Sequence, residues 1–170
     1  LGRKGPAPHG LFTRVTLCHI TVFYYVGWAY LMMRRYTDAI LFHNGEQVQS
    51  KGYCTDVYFD AAIEWMEKCR AEGKPFLTYL PPNAPHGPYH DVPEDLLAYY
   101  QSIDLTPILN GNESDKHKGT VARVFAMIEN IDQNVGKLEA YLEESGQKDN
   151  TLMMFFTDNG ADWMGDDLPP

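Results

Sequence analysis

The sequence predicts an α/β fold with a mainly parallel sheet and helices on both of its faces. Three observations lead there: two short apolar runs of strand length, a long amphipathic helix between them, and a polar cluster directly after each run. The chain has 170 residues, 44% hydrophobic and 22% charged, enough for one globular core. Its formal charge of -9 argues against phosphate-backbone binding, which needs clustered Lys and Arg, so nucleic acid is excluded as a partner. Cys18, Cys54 and Cys69 lie far apart with no C-x-x-C pair, which indicates neither a zinc knuckle nor a dense disulfide framework. The chain begins at Leu1 rather than Met and stops at Leu168-Pro169-Pro170, so a fragment of a longer protein is expected, with any signal peptide outside it. Asn112-Glu113-Ser114 fits the N-glycosylation triplet, a pattern that carries weight only in a secreted eukaryotic chain.

Taken in order, the first feature is the uncharged stretch from Val15 to Met33, flanked by Arg14 and by Arg34-Arg35. It has about the length of a membrane helix, yet its Thr, Tyr, Val and Phe content, with His19 and Gly27, reads as two strands or a buried core segment. Next, Tyr58, Ala61, Ala62, Trp65, Met66 and Cys69 recur at helical spacing opposite Asp60, Glu64, Glu67 and Lys68. Thr55 or Asp56 can cap that helix, Gly73 can end it, and Pro75 forbids its continuation. Phe76 to Leu80 follows as a short strand closed by Pro81-Pro82.

Pro93, Glu94 and Asp95 have the composition of a first helical turn, with Leu96, Leu97, Tyr99 and Tyr100 behind them. Residues 102–119 are polar and turn-rich and read as an exposed connection. Val121, Val124, Phe125, Ile128, Ile131, Val135, Leu138 and Leu142 then mark a long amphipathic helix that Gly146 can terminate. Asp149-Asn150 supplies a turn, and Leu152 to Phe156 is an apolar run expected of a strand buried on both faces.

The chemistry is expected at the exits of the two strands, because ligands in open α/β sheets bind beyond the carboxyl ends of strands. Asn83-Ala84-Pro85-His86-Gly87-Pro88 follows the first, and Thr157-Asp158-Asn159-Gly160 the second. Asp158 and Asn159 offer hard oxygens suited to calcium, with magnesium second, and Gly160 permits a tight turn; the same tripeptide is also ordinary turn chemistry. His86 sits between two prolines that restrict the loop, and imidazole is a side chain able to bond an ester oxygen or protonate a leaving group. The plain alternative is a surface or structurally bonded histidine. Asp132 borders the apolar stripe of the long helix, where a carboxylate needs a partner, and is read as structural.

Four stretches, Lys51–Asp60, Lys74–Tyr89, Ala126–Leu138 and Asn150–Gly160, occur together in one order. In that order they resemble the sulfatase family of the alkaline-phosphatase superfamily, over about residues 42 to 162. The resemblance implies an incomplete alkaline-phosphatase-like domain over 42–170, behind a poorly matched segment, 1–41. It implies calcium ligation by Asp158 and Asn159, and contact between His86 and a sulfate ester near its leaving oxygen. It also implies a substrate that is a small sulfate ester or a sulfated glycan, and a compartment that is periplasmic, secreted or lysosomal. Members use a formylglycine made from Cys or Ser in a C/S-x-P-x-R segment.

None of the three cysteines stands in such a segment: His19, Thr55 and Arg70 follow them, with no proline two places on. The nucleophile, the family's early paired aspartates and a basic residue beyond the second motif are absent, and Leu1-Gly2-Arg3-Lys4 only faintly resembles the family's Gly-Lys-Trp-His segment. The parent is therefore expected to be a sulfatase, and this chain alone to be inactive and to bind calcium weakly. Competing readings are a phosphodiesterase or phosphonate monoester hydrolase of the same superfamily, and a non-catalytic sulfatase-like binding protein.

Overall fold

The computed structural model describes residues 35–157, except positions 90, 110, 112 and 113. The stretch 15–33, read as span or core, lies outside the described residues. Two strands, β1 (Ile40–His43) and β2 (Glu46–Gln49), form an antiparallel hairpin with Ile40 opposite Gln49 and His43 opposite Glu46. Asn44 and Gly45 connect them with φ of 54° and 87°. Positive φ at both central residues is what a two-residue hairpin turn demands, and Asn-Gly is the pair that meets it most easily. Pairing continues below the strands: Ser50 N–H donates to Ala39 O (2.9 Å), Asp38 N–H to Gly52 O (3.0 Å), and Cys54 N–H to Tyr36 O (2.8 Å).

That last bond leads directly into helix α1, Cys54–Ala71. The helix begins just before the expected caps, with Tyr53 at the N-cap and no side-chain cap bond. The reason is local: the first amide is already taken by Tyr36 O, and the Asp56 carboxylate is turned toward another helix. At the far end Gly73 takes φ +63° and Lys74 N–H returns to Cys69 O (2.9 Å), which satisfies a carbonyl of the last turn. The buried face is Tyr58, Phe59, Ala62, Trp65, Met66 and Cys69. It follows the predicted spacing, with Phe59 added and Ala61 only half-buried.

Helix α2 spans Glu94–Ser102, with both acids in its first turn as the composition required. Helix α3 spans Asp115–Glu144, starting six residues before Val121, because Ser114 caps it: the Ser114 hydroxyl accepts the His117 N–H at 3.3 Å. The connection 102–119 is thus partly helical. It also contains a single 3-10 turn, Thr106–Ile108, followed by the fully buried Leu109. Both α1 and α2 pack on α3.

The face α3 buries differs from the one the branched residues suggested. Val121, Ala122, Ala126, Met127, Asn130, Asn134 and Leu142 are inside, while Ile128 is 42% exposed. Ala122, Ala126, Asn130 and Asn134 recur every fourth residue, a row of small and amide side chains along one side of the helix. The amides are satisfied by α1: Asn130 and Asn134 each donate to one oxygen of Asp56, at 2.8 and 2.7 Å. Asp132, expected to need a buried partner, is solvent-exposed, so the polar burial falls on the two asparagines flanking it.

The core has two parts. One joins Tyr36, Leu41, Tyr53, Cys54 and Tyr58 to Ala126 and Met127; the other gathers Trp65, Met66 and Cys69 with Phe76, Leu138 and Tyr141. Phe76 meets Trp65 edge-on at 6.4 Å. The segment Phe76–Leu80 alternates as a one-sided strand would: Phe76, Thr78 and Leu80 are half-buried, Leu77 and Tyr79 exposed. Residues 152–156 are all exposed, Leu152 to 82%. Phe76 forms a single β-bridge, and among the described residues the only sheet is the hairpin. The fold there is three helices and a small antiparallel sheet; a parallel sheet is not formed among these residues.

Two outcomes follow from this packing. Asp56→Ala strands two buried amides and is expected to lower stability by about 3 kcal/mol in urea denaturation. Gly45→Ala, at a φ that L side chains rarely adopt, is expected to cost about 1 kcal/mol in the same assay.

Candidate functional site

The loop that leaves Leu80 carries the candidate histidine. Asn83–Tyr89 turns on itself, with the His86 N–H donating to Asn83 O at 2.9 Å and both X-Pro bonds, Ala84–Pro85 and Gly87–Pro88, cis. The Asn83 side-chain oxygen accepts from the Tyr58 hydroxyl of α1 (3.3 Å). Ala84 is buried, so the loop is seated in the core at its middle while His86 stands exposed.

A second attachment comes from Tyr36. Its phenol donates to His86 O at 2.8 Å and approaches Gly87 O at 3.4 Å, while its ring is buried and tilted against Tyr53 at 5.9 Å. Downstream, Asp91 closes the circuit: one carboxylate oxygen accepts the N–H groups of Tyr36 and of Thr37 (2.8 Å to Thr37), and the other accepts the Thr37 hydroxyl (2.8 Å). Bonds to a carboxylate are stronger than neutral ones, so this is a firm tie between the start of the described chain and the exit of the loop. The His86 Nδ1 lies 2.7 Å from Gly87 O.

Tyr36, Asp91 and Tyr58 were missed as site-supporting residues in the sequence, although Tyr58 was read as part of the α1 face. Nothing in local periodicity ties residue 36 to residues 86 or 91. His86 is exposed on a loop whose backbone is held by Tyr36. Asp158 and Asn159, expected to hold calcium, lie outside the described residues. Among the described residues no group of three or more His, Cys, Asp or Glu converges to hold a metal ion. No helix among them is long and apolar enough to cross a membrane.

Neither described cysteine has the character of a nucleophile. Cys54 and Cys69 are both buried. Loss of solvation on burial pushes the Cys54 thiol up to about 12, so thiolate is scarce at neutral pH. Burial likewise raises the neighbouring Tyr53 phenol.

Comparison with known proteins now gives the class. The family profile for Sulfatase matches residues 19–169, and the chain belongs to the sulfatase family. An uncharacterized sulfatase of Escherichia coli (strain K12), YdeN, is 33% identical over 138 residues, covering 81% of this chain and 22% of that protein. An uncharacterized sulfatase of Schizosaccharomyces pombe is 26% identical over 159 residues, covering 71% of this chain and 28% of the relative. This chain therefore spans about a quarter of the length of these relatives.

Among solved structures, Ps i-CgsB in complex with k-i-k-neocarrahexaose is 30% identical with a TM-score of 0.51, over 66% of this chain and 22% of that one. The sulfatase candidate yidJ from Bacteroides fragilis has a TM-score of 0.59 at 18% identity, over 68% and 28%, a likeness of fold alone. A match of another kind is short: the eukaryotic translation initiation factor 3 subunit L of Mycosarcoma maydis is 68% identical over 31 residues, 18% of this chain and 5% of that protein. A stretch that short is below domain size, and the sulfatase match is the one with domain-length coverage.

The buried thiols lead to a checkable outcome. Treatment with a thiol reagent at pH 8 is expected to leave Cys54 unmodified in the native chain and to label it in denaturant, as read by peptide mass spectrometry. Because the folded Cys54 thiol lies above its ordinary 9.0, its stabilising contribution is complete below that pH. The contribution is lost as pH rises toward about 12, and Cys54→Ala should flatten that part of the alkaline stability curve.

Proposed function

We propose that residues 42–170 supply part of the catalytic domain of a sulfatase that hydrolyses sulfate esters, and that this chain alone does not turn over substrate. The observation that carries the reading is His86: an exposed imidazole on a loop tied to the core through Tyr36 and Tyr58, inside the matched family region. A side chain held that way has little rotational and translational freedom to lose when a substrate oxygen arrives, which is the general advantage of a preorganised acid or hydrogen-bond donor. In its imidazolium form His86 would donate a hydrogen bond to the ester near its leaving oxygen and deliver that proton there, leaving the neutral ring.

Asp158 and Asn159 would hold calcium at the exit of a second strand, 152–156, and both strand exits would face one rim of a mainly parallel sheet. A bound calcium would offset charge on the sulfate oxygens. The formylglycine nucleophile would come from a part of the catalytic domain other than the residues of this chain. The oligosaccharide in the Ps i-CgsB complex supports a sulfated glycan as the substrate class, with small aryl sulfates as the simpler assay. An exported or lysosomal location goes with the family.

The test is sulfate release from an aryl sulfate and from a sulfated oligosaccharide, using a protein extended to the length of its relatives. His86→Ala is expected to lower kcat by about a hundredfold. The 170 residues alone are expected to release no sulfate and to bind calcium only weakly in titration calorimetry. Turnover by the short chain would overturn its inactivity; unchanged kcat in His86→Ala would overturn the role of the imidazole. Phosphate release from a diester in place of sulfate release would assign the chemistry to a phosphodiesterase.

A further inference from the structure

We propose that Tyr36 and Asp91 are positioning residues that set the direction and the tautomer of the His86 imidazole. The inference rests on the functional reading of His86 only for its catalytic consequence, since the geometry stands without it. A backbone carbonyl oxygen can only accept a hydrogen bond, so the contact of 2.7 Å between His86 Nδ1 and Gly87 O requires the hydrogen on Nδ1. That leaves Nε2 of the neutral ring as a bare acceptor facing away from the loop carbonyl, so Nε2 is the nitrogen that takes up, and in the imidazolium delivers, the second proton.

The Gly87 carbonyl is itself kept in place. The Tyr36 hydroxyl donates at 2.8 Å to the preceding carbonyl, His86 O, and stands 3.4 Å from Gly87 O, so one phenol spans the two peptide groups that flank Gly87, directly after the histidine. The phenol cannot drift, because its ring is buried and packed on Tyr53. Its backbone is held from both sides: the N–H by Asp91, and the carbonyl by the Cys54 N–H at the start of α1. Asp91 also takes the Thr37 N–H and hydroxyl. The path is therefore continuous from a carboxylate five residues beyond the histidine, through residue 36, back to the carbonyl that orients the ring. A free imidazole favours hydrogen on Nε2; the loop selects the other tautomer.

The experiment is long-range proton–nitrogen NMR of the ¹⁵N-labelled 170-residue chain above the imidazole titration, with the His86 signals identified by their loss in His86→Gln. The wild-type ring is expected to be mainly the Nδ1–H form. Tyr36→Phe removes the hydroxyl and keeps the buried ring, and Asp91→Asn keeps the size of the clamp and loses its charge. Each is expected to shift the ring toward the Nε2–H form while circular dichroism stays unchanged. A wild-type ring mainly in the Nε2–H form overturns the proposal with no variant needed. So do folded variants that keep the wild-type tautomer, and where Tyr36→Phe does not fold, Asp91→Asn decides.

In the extended protein Tyr36→Phe should lower kcat about tenfold with KM unchanged, because binding survives while the imidazolium, no longer held through Nδ1–H on Gly87 O, aims its Nε2 proton away from the leaving oxygen. Full turnover in His86→Ala would instead sink the sulfatase role of the histidine and leave the tautomer result standing.

Discussion

One carboxylate, that of Asp91, holds the backbone of Tyr36 and Thr37, and the placement of most of the described core follows from that tie. Tyr36 is almost wholly buried and is used at every polar group: its N–H by Asp91, its carbonyl by the first amide of α1, its hydroxyl by the His86 loop. The residue thereby joins three stretches of chain remote in sequence. Groups buried in a low-dielectric interior gain from such complete pairing and lose heavily if one bond is left unmade. The hairpin above it and the helix beside it are both anchored to the same residue.

The packing of α1 on α3 depends on a second carboxylate. Asp56 accepts from two buried asparagines, where an apolar contact would have carried less orientation. Ala122 and Ala126 continue the same row with small side chains, and the amide pair fixes the register in which α1 lies along it. That register in turn presents the Tyr58 hydroxyl to Asn83 at the root of the His86 loop. The exposed histidine is thus supported from two sides by polar contacts that originate in helix packing and in the Asp91 tie.

The three helices were legible because each carries its own periodic signal: the Tyr58–Cys69 face, the Glu94-Asp95 first turn, and the long apolar repeat after Val121. The repeat was read through its large branched residues, and the buried face turned out to run through alanines and asparagines, which hydrophobicity alone does not mark. The hairpin was missed although His43-Asn44-Gly45-Glu46 contains the strongest short turn signal there is. Strand pairing is set by contacts distant in sequence, so the apolar runs Phe76–Leu80 and 152–156 suggested strands that the described residues do not form. The proline-bounded loop around His86 was legible; the bonds that tie it to Tyr36, and Tyr36 to Asp91, were not, since contacts between residues fifty or more apart leave no local pattern. Family membership was visible in four ordered motifs, and the Sulfatase profile across residues 19–169 agrees with it.

The central claim is spatial: the imidazole and the acid-amide pair, more than seventy residues apart in the chain, serve one oxyanion. The most direct measurement is a crystal structure of the extended protein soaked with calcium and a sulfate ester. The account predicts His86 Nε2 within hydrogen-bond distance of an oxygen of the ester, on an ion ligated by Asp158 and Asn159. An ester bound by the acid-amide pair with the imidazole facing another region would contradict it.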